Sequence, residues 1–274
     1  MLTPCNRKPI KPPNLLLTLS EMPRTLAAPL GSFVTGFTRP NYPLGDGHPV
    51  LVIPGFRGTD DNNRGLINFL RNLNLNAVGW EQGRNLGHGL IDPQILVSRV
   101  GDLYREKQQK VSLIGHSLGG IYAREIAKLC PQWVRQVITL ASPFGEGRTK
   151  ASYLYPIYKR FSPHRGQDND AHWAEAPPMP TTAIYSRSDG VLDWRVALQR
   201  DGHSQTENIE VYSCHNGMAN NPAVWHVLAD RLTQDADRWQ PFAPRGWQQW
   251  LYPPPAWQPQ GTKSMPPQCE QPGR

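Results

Sequence analysis

The apolar run Val111-Ser112-Leu113-Ile114 leads directly into Gly115-His116-Ser117-Leu118-Gly119-Gly120, which opens an amphipathic stretch. A strand that turns into a helix within so few residues needs glycine around the turn, because the two backbones pass closer than a Cβ allows. A serine in such a turn is held with strained backbone angles and an exposed hydroxyl, a geometry suited to acyl transfer. Alone, Gly-x-Ser-x-Gly fits an ordinary turn equally well. The rest of the chain must therefore supply a base, an acid and oxyanion donors in workable places.

The flanking pattern supports an α/β fold. Val50-Leu51-Val52-Ile53 is a continuous aliphatic run of the kind buried on both faces of a parallel sheet. Similar runs recur at 111–114, 137–140, 182–185 and 208–211, with 76–80 as a sixth strand candidate. Leu66, Phe69, Leu70 and Leu73 share one helical face. Residues 91–103 and 121–129 read as further helices, and Asn221-Pro222 reads as an N-cap followed by proline at the first helical position. Strands alternating with helices imply crossover units and a doubly wound, mostly parallel sheet.

The domain reading is an N-terminal extension over 1–47, a core over 48–242 and a disordered Pro-rich tail over 243–274, which holds eight prolines. Residues 145–180 lack a strand pattern and carry several aromatics, so they are expected as a lid-like insertion over the carboxyl ends of the strands. The leucine-bearing segment 15–30 is read as a helix packing on the domain, with weak contact to a membrane surface as the alternative.

The net charge of +7 suggests nucleic acid until it is divided along the chain: residues 1–45 carry +4 and 241–274 carry +2, leaving the core nearly neutral. A nucleic-acid face would be expected on the folded module itself, so that class is set aside. Four dispersed cysteines, Cys5, Cys130, Cys214 and Cys269, form no metal or disulfide framework. The run Asp60-Asp61-Asn62-Asn63 is read as a turn capping the next helix rather than a metal site. Gly83-Arg84-Asn85-Leu86-Gly87-His88-Gly89 lacks the Lys-Ser/Thr ending of a phosphate loop and the Gly-x-Gly-x-x-Gly spacing after a strand. No cofactor and no metal are expected. With neither a convincing signal peptide nor a membrane span, the expected location is cytoplasmic.

Asp189 follows the 182–185 run and precedes Gly190, a strand-end loop where a carboxylate can reach a histidine; Asp193 is its competitor. His215 follows the 208–211 run and is the histidine that lies both downstream of Asp189 and at a strand end, unlike His203 and His226. His116 is expected to support the turn or line the pocket. The loop Pro54-Gly55-Phe56-Arg57-Gly58 can offer the Phe56 backbone N–H, and Leu118 a second one, to a developing oxyanion.

These blocks, in the order Ser117, Asp189, His215, resemble the α/β-hydrolase superfamily, in particular its compact bacterial lipase and esterase branch. The resemblance runs from about His48 to Phe242. Pro54 stands where many relatives carry histidine, and no strand is apparent before Val50, so a reduced core without the N-terminal antiparallel hairpin is expected. The resemblance implies a serine hydrolase acting on a small-molecule or lipid ester. An acyltransferase with the same triad, or a non-catalytic interaction protein on the same fold, remains open at this point.

Overall fold

The computed structural model describes residues 9–27, 42–87, 92–161 and 170–259. Its centre is a six-stranded sheet with every neighbouring pair parallel: β1 (Pro49–Ile53), β2 (Asn76–Gly79), β3 (Val111–His116), β4 (Val134–Leu140), β5 (Thr181–Tyr185) and β6 (Thr206–Glu210), in the order β2-β1-β3-β4-β5-β6. All six strands expected from the sequence are present.

The helices are α1 (Leu15–Leu19), α2 (21–27), α3 (Arg64–Asn72), α4 (Pro93–Lys107), α5 (Leu118–Leu129), α6 (Tyr155–Phe161), α7 (Asp170–Ala174) and α8 (Pro222–Thr233). Alternation along β1 explains its unbroken apolar run. Val50 and Val52 pack with Leu66 and Leu70 of α3 and Val224 and Val227 of α8. Leu51 and Ile53 pack on the other face with Leu96 and Val100 of α4 and Ile121 and Ile126 of α5. Burying each such side chain stabilises the fold by about 1.5–3 kcal/mol, and covering both faces gives the doubly wound arrangement. The helix ends follow their sequence signals: Asp92 and Asn221 cap α4 and α8 through the N–H groups of Gln94 and Ala223, each with proline just inside.

Several boundaries differ from expectation because polar residues are held by partners far away in sequence. β4 begins at Val134 rather than 137 because Arg135 and Gln136 are held by Asp46 and by the Arg231 carbonyl. β6 begins at Thr206 rather than 208 because Glu207 meets Arg231 of α8 at 2.8 Å. Asp60 does not cap α3; its carboxylate accepts from the N–H groups of Trp80 and Glu81, pinning the end of β2.

Residues 243–259 are also not the disordered tail expected. Tyr252 donates to the Ala223 carbonyl at 2.9 Å, while Gln258 both accepts from and donates to the Asn208 backbone on the β6 edge. Residues 260–274 lie outside the described residues. Among the described residues, no helix is long and apolar enough to cross a membrane. Leu15, Leu16, Leu19, Met22 and Leu26 of the N-terminal helices are exposed.

Candidate active site

The strand order reverses after β2, so β1 and β3 become neighbours with their carboxyl ends level, Ile53 opposite Gly115. A crevice opens where successive loops diverge at such a switch point. The loop after β1 carries Phe56, and the turn after β3 carries Ser117. Both line one cavity of about 450 Å³ with Leu118 and His215.

Ser117 has φ 51° and ψ −119°, a left-handed backbone that a serine adopts only at a cost. The surroundings hold it there. Its N–H donates to the Leu140 carbonyl at 2.8 Å, and its carbonyl accepts from Gly120. A Cβ on Gly119 would fall 2.3 Å from the Ile53 carbonyl oxygen, and one on Gly115 would fall 2.3 Å from the Gly119 carbonyl oxygen. The glycines of the motif are therefore required by close packing of β1, β3 and α5.

The loop of Phe56 lies against this turn: a Cβ on Gly55 would sit 3.1 Å from the Ser117 Cβ. Asn85, fully buried, braces the loop. Its side-chain amide donates to the Pro54 carbonyl at 2.7 Å, its backbone N–H donates to Gly58, and its carbonyl accepts from Arg57. Nothing in the sequence around Asn85 marks it, because its partners Pro54, Arg57 and Gly58 lie about thirty residues away.

Asp189, His215 and Ser117 come together. His215 Nδ1 lies 2.7 Å from Asp189 Oδ2, and Nε2 lies 2.9 Å from Ser117 Oγ. The other carboxylate oxygen, Oδ1, accepts from the N–H groups of Val191 and Leu192 at 2.8 and 2.9 Å. With both oxygens engaged, the carboxylate is best matched by an Nδ1–H donor, which leaves Nε2 to accept the serine proton. Burial pushes the His215 pKa down, but the Asp189 charge and hydrogen bond, with a further contribution from Glu21, outweigh it and raise the pKa above the ordinary histidine value.

The competing candidates have other partners. Asp193 caps a short 3-10 turn, Trp194–Ala197, and pairs with Arg195. His203 donates to the carbonyl oxygens of Pro177 and Met179. His226 is half-buried among Tyr42, Phe242 and Tyr252. His116 donates through Nε2 to the His215 carbonyl at 2.9 Å, and burial together with the His215 charge holds its pKa down at about 4.

The segment between β4 and β5 contributes Arg148, Leu154, Tyr155 and Tyr158 to the cavity wall, and Tyr158 meets the Phe56 ring edge-on at 5.5 Å. Its far end is held to α5, where buried Arg124 donates to the carbonyls of Trp173, Ala174 and Glu175.

The chain belongs to the alpha/beta hydrolase family, whose model covers residues 33–259. Among solved structures it is similar to Aspergillus fumigatus lipase B, with a TM-score of 0.57 at 18% identity, covering 69% of this chain and 53% of that one. It also resembles a monoacylglycerol lipase of Paleococcus ferrophilus, with a TM-score of 0.51 at 13% identity over 70% of this chain and 96% of that one. In sequence it is similar to a triacylglycerol lipase of Pseudarthrobacter phenanthrenivorans, 30% identical over 125 residues, which are 41% of this chain and 38% of that one. A GPI inositol-deacylase of Eremothecium gossypii is 26% identical over 200 residues, 58% of this chain and 19% of that one. The chain thus spans well under half the length of these curated relatives.

Proposed function

We propose that this α/β-hydrolase is a serine hydrolase that cleaves carboxylic esters, lipid esters included, through an acyl-enzyme. The observation that carries the reading is the unbroken series from Ser117 Oγ to His215 Nε2 and from His215 Nδ1 to Asp189 Oδ2, opening onto one cavity. Ser117 attacks the acyl carbon while His215 takes its proton and then returns it to the leaving alcohol. Asp189 holds the imidazole tautomer and stabilises its charged form. The Phe56 and Leu118 N–H groups receive the oxyanion, and water activated by His215 releases the acid. Residues 48–242 form the catalytic domain in this reading, with 145–180 as its lid-like insertion.

Phe56, Leu118, Ile121, Leu154 and Leu192 on the cavity wall suit an apolar acyl or alcohol group. The relative named a triacylglycerol lipase supports the same substrate class.

A fluorophosphonate probe is expected to label Ser117, and Ser117→Ala is expected to lose label and about 10⁴-fold or more of turnover on short p-nitrophenyl esters while keeping its circular dichroism. Unchanged turnover in that variant would rule the assignment out. Product analysis with competing alcohol or thiol acceptors separates hydrolysis from acyl transfer.

A further inference from the structure

Glu21, the first residue of α2, lies outside the sheet yet is only 4% exposed. A glutamate near a helix start often turns back onto its own helix in a capping box. Here both oxygens reach elsewhere. Oε2 accepts from the Gly190 N–H at 3.1 Å, immediately after Asp189, and Oε1 accepts from the Asn216 N–H at 2.9 Å, immediately after His215. One carboxylate therefore bridges the acid loop and the base loop.

A second observation comes from Gly190. Its φ is not in the left-handed region, so the turn does not need glycine for its backbone angles. A Cβ there would fall 2.5 Å from the Leu17 carbonyl oxygen and 2.7 Å from Glu21 Oε2. The missing side chain makes room for the N-terminal arm. One turn further along α2, Thr25 lines the cavity and its hydroxyl lies 3.8 Å from the sulfur of Cys214, the residue before His215.

The two loops are also latched on the strand side. Ser188 Oγ donates to the Ser213 carbonyl at 3.0 Å, and the Ser213 N–H donates to Ser186 Oγ at 3.1 Å. That latch precedes Asp189 and His215 in sequence, while the Glu21 bridge follows both, so the pair is bracketed. On the serine-hydrolase reading above, we propose that Glu21 is a positioning residue. It fixes the separation of the Asp189 and His215 loops and places a negative charge behind the imidazole, so that the N-terminal arm is part of the catalytic unit.

The charge has a sign that can be read. The titratable groups around His215 are Asp189 from the loop after β5, His116 from the end of β3, Cys214 beside it, and Glu21 with Arg24 from α2. Glu21 favours the imidazolium, so removing its charge lowers the pKa of His215 and moves the acid limb of kcat/KM to lower pH. Glu21 does not line the cavity, so KM is expected to stay near its starting value.

The test compares the full chain with Glu21→Gln and Glu21→Asp, reading kcat, KM and the pH profile on a p-nitrophenyl ester, and the rate of fluorophosphonate labelling. The amide of the Gln variant can accept only one of the two N–H donors. We expect kcat and labelling rate to fall together by about ten- to a hundredfold, with KM within about twofold and the acid limb displaced downward in pH. The Asp variant keeps the charge but is too short to hold both loops, so kcat falls with the limb in place; it carries the test if the Gln variant does not fold. Wild-type kcat, limb and labelling rate in folded variants would overturn the positioning role while leaving the serine-hydrolase reading intact. A parent chain whose Ser117 does not label would overturn both.

Discussion

Ser117 rests on backbone packed against backbone, with the loop of Phe56 beside it braced by the buried amide of Asn85, whereas Asp189 and His215 rest on two loops joined to each other by side-chain hydrogen bonds. Around Ser117, the space beside Gly115 and Gly119 is filled by main-chain atoms of β1 and α5, and the Ser117 N–H is taken by Leu140. Around Asp189 and His215, Ser186, Ser188 and Glu21 make the connections, and Glu21 comes from 169 and 195 residues away in sequence. Steric packing tolerates almost no substitution but is insensitive to pH. Hydrogen-bonded loops tolerate isosteric change in shape, while their function follows charge and proton position.

Asp189→Asn tests that contrast most severely. The amide is the same size, and its oxygen can keep the Val191 and Leu192 N–H bonds, so the fold is expected to survive. Its NH₂ would face His215 Nδ1 and favour the tautomer with the proton on Nε2, which cannot accept the Ser117 proton. We expect kcat to drop by about 10⁴-fold with little change in melting temperature. A variant keeping more than about a tenth of the activity would mean that this side does not depend on proton position.

The same contrast explains what could be seen in the sequence. The strands at 50–53 and 111–114, the serine turn and the Asn221-Pro222 helix start are local patterns, each contained in a few consecutive residues. Asp189 and His215 could be singled out because each sits where a readable strand ends. Glu21 carries no such mark, since its role exists only once residues far apart in sequence are brought together. The buried Glu207–Arg231 pair hid the start of β6 for the same reason, because polar residues in a strand look like a loop until the partner is known. Residues 243–259 looked like a disordered tail because their proline content hides the contacts of Tyr252 and Gln258 with the core.

Asn85→Ala probes the Ser117 side with an intermediate effect. It leaves the Pro54 carbonyl without the amide donor that now braces it, a loss of about 1–3 kcal/mol of stability for a buried group. The loop bearing Phe56 would loosen against Ser117, and we expect kcat to fall by about tenfold with the acid limb of the pH profile unmoved. A shifted limb would show that the two sides are electrically coupled and blur the distinction.

The smallest effect is in stability against pH, and it runs opposite to activity. The folded pKa of His215 is raised, so its pairing with Asp189 contributes stability that is fully present below the unfolded value of about 6.5 and is lost as pH rises through the folded one. On the proposed mechanism catalysis needs the neutral imidazole, so kcat/KM is expected to rise through that same window, placing the acid limb above about 6.5. His116 behaves in the reverse sense. Its folded pKa is depressed to about 4, so it costs stability only as pH falls below its unfolded value, and it stays neutral while His215 titrates. Melting temperature measured across this range should therefore decline on the alkaline side as activity climbs, and the decline should shrink in Asp189→Asn, where the charged partner is gone. An acid limb at or below the ordinary histidine value, or an alkaline decline that survives in Asp189→Asn, would place the pH dependence somewhere other than the His215–Asp189 pair.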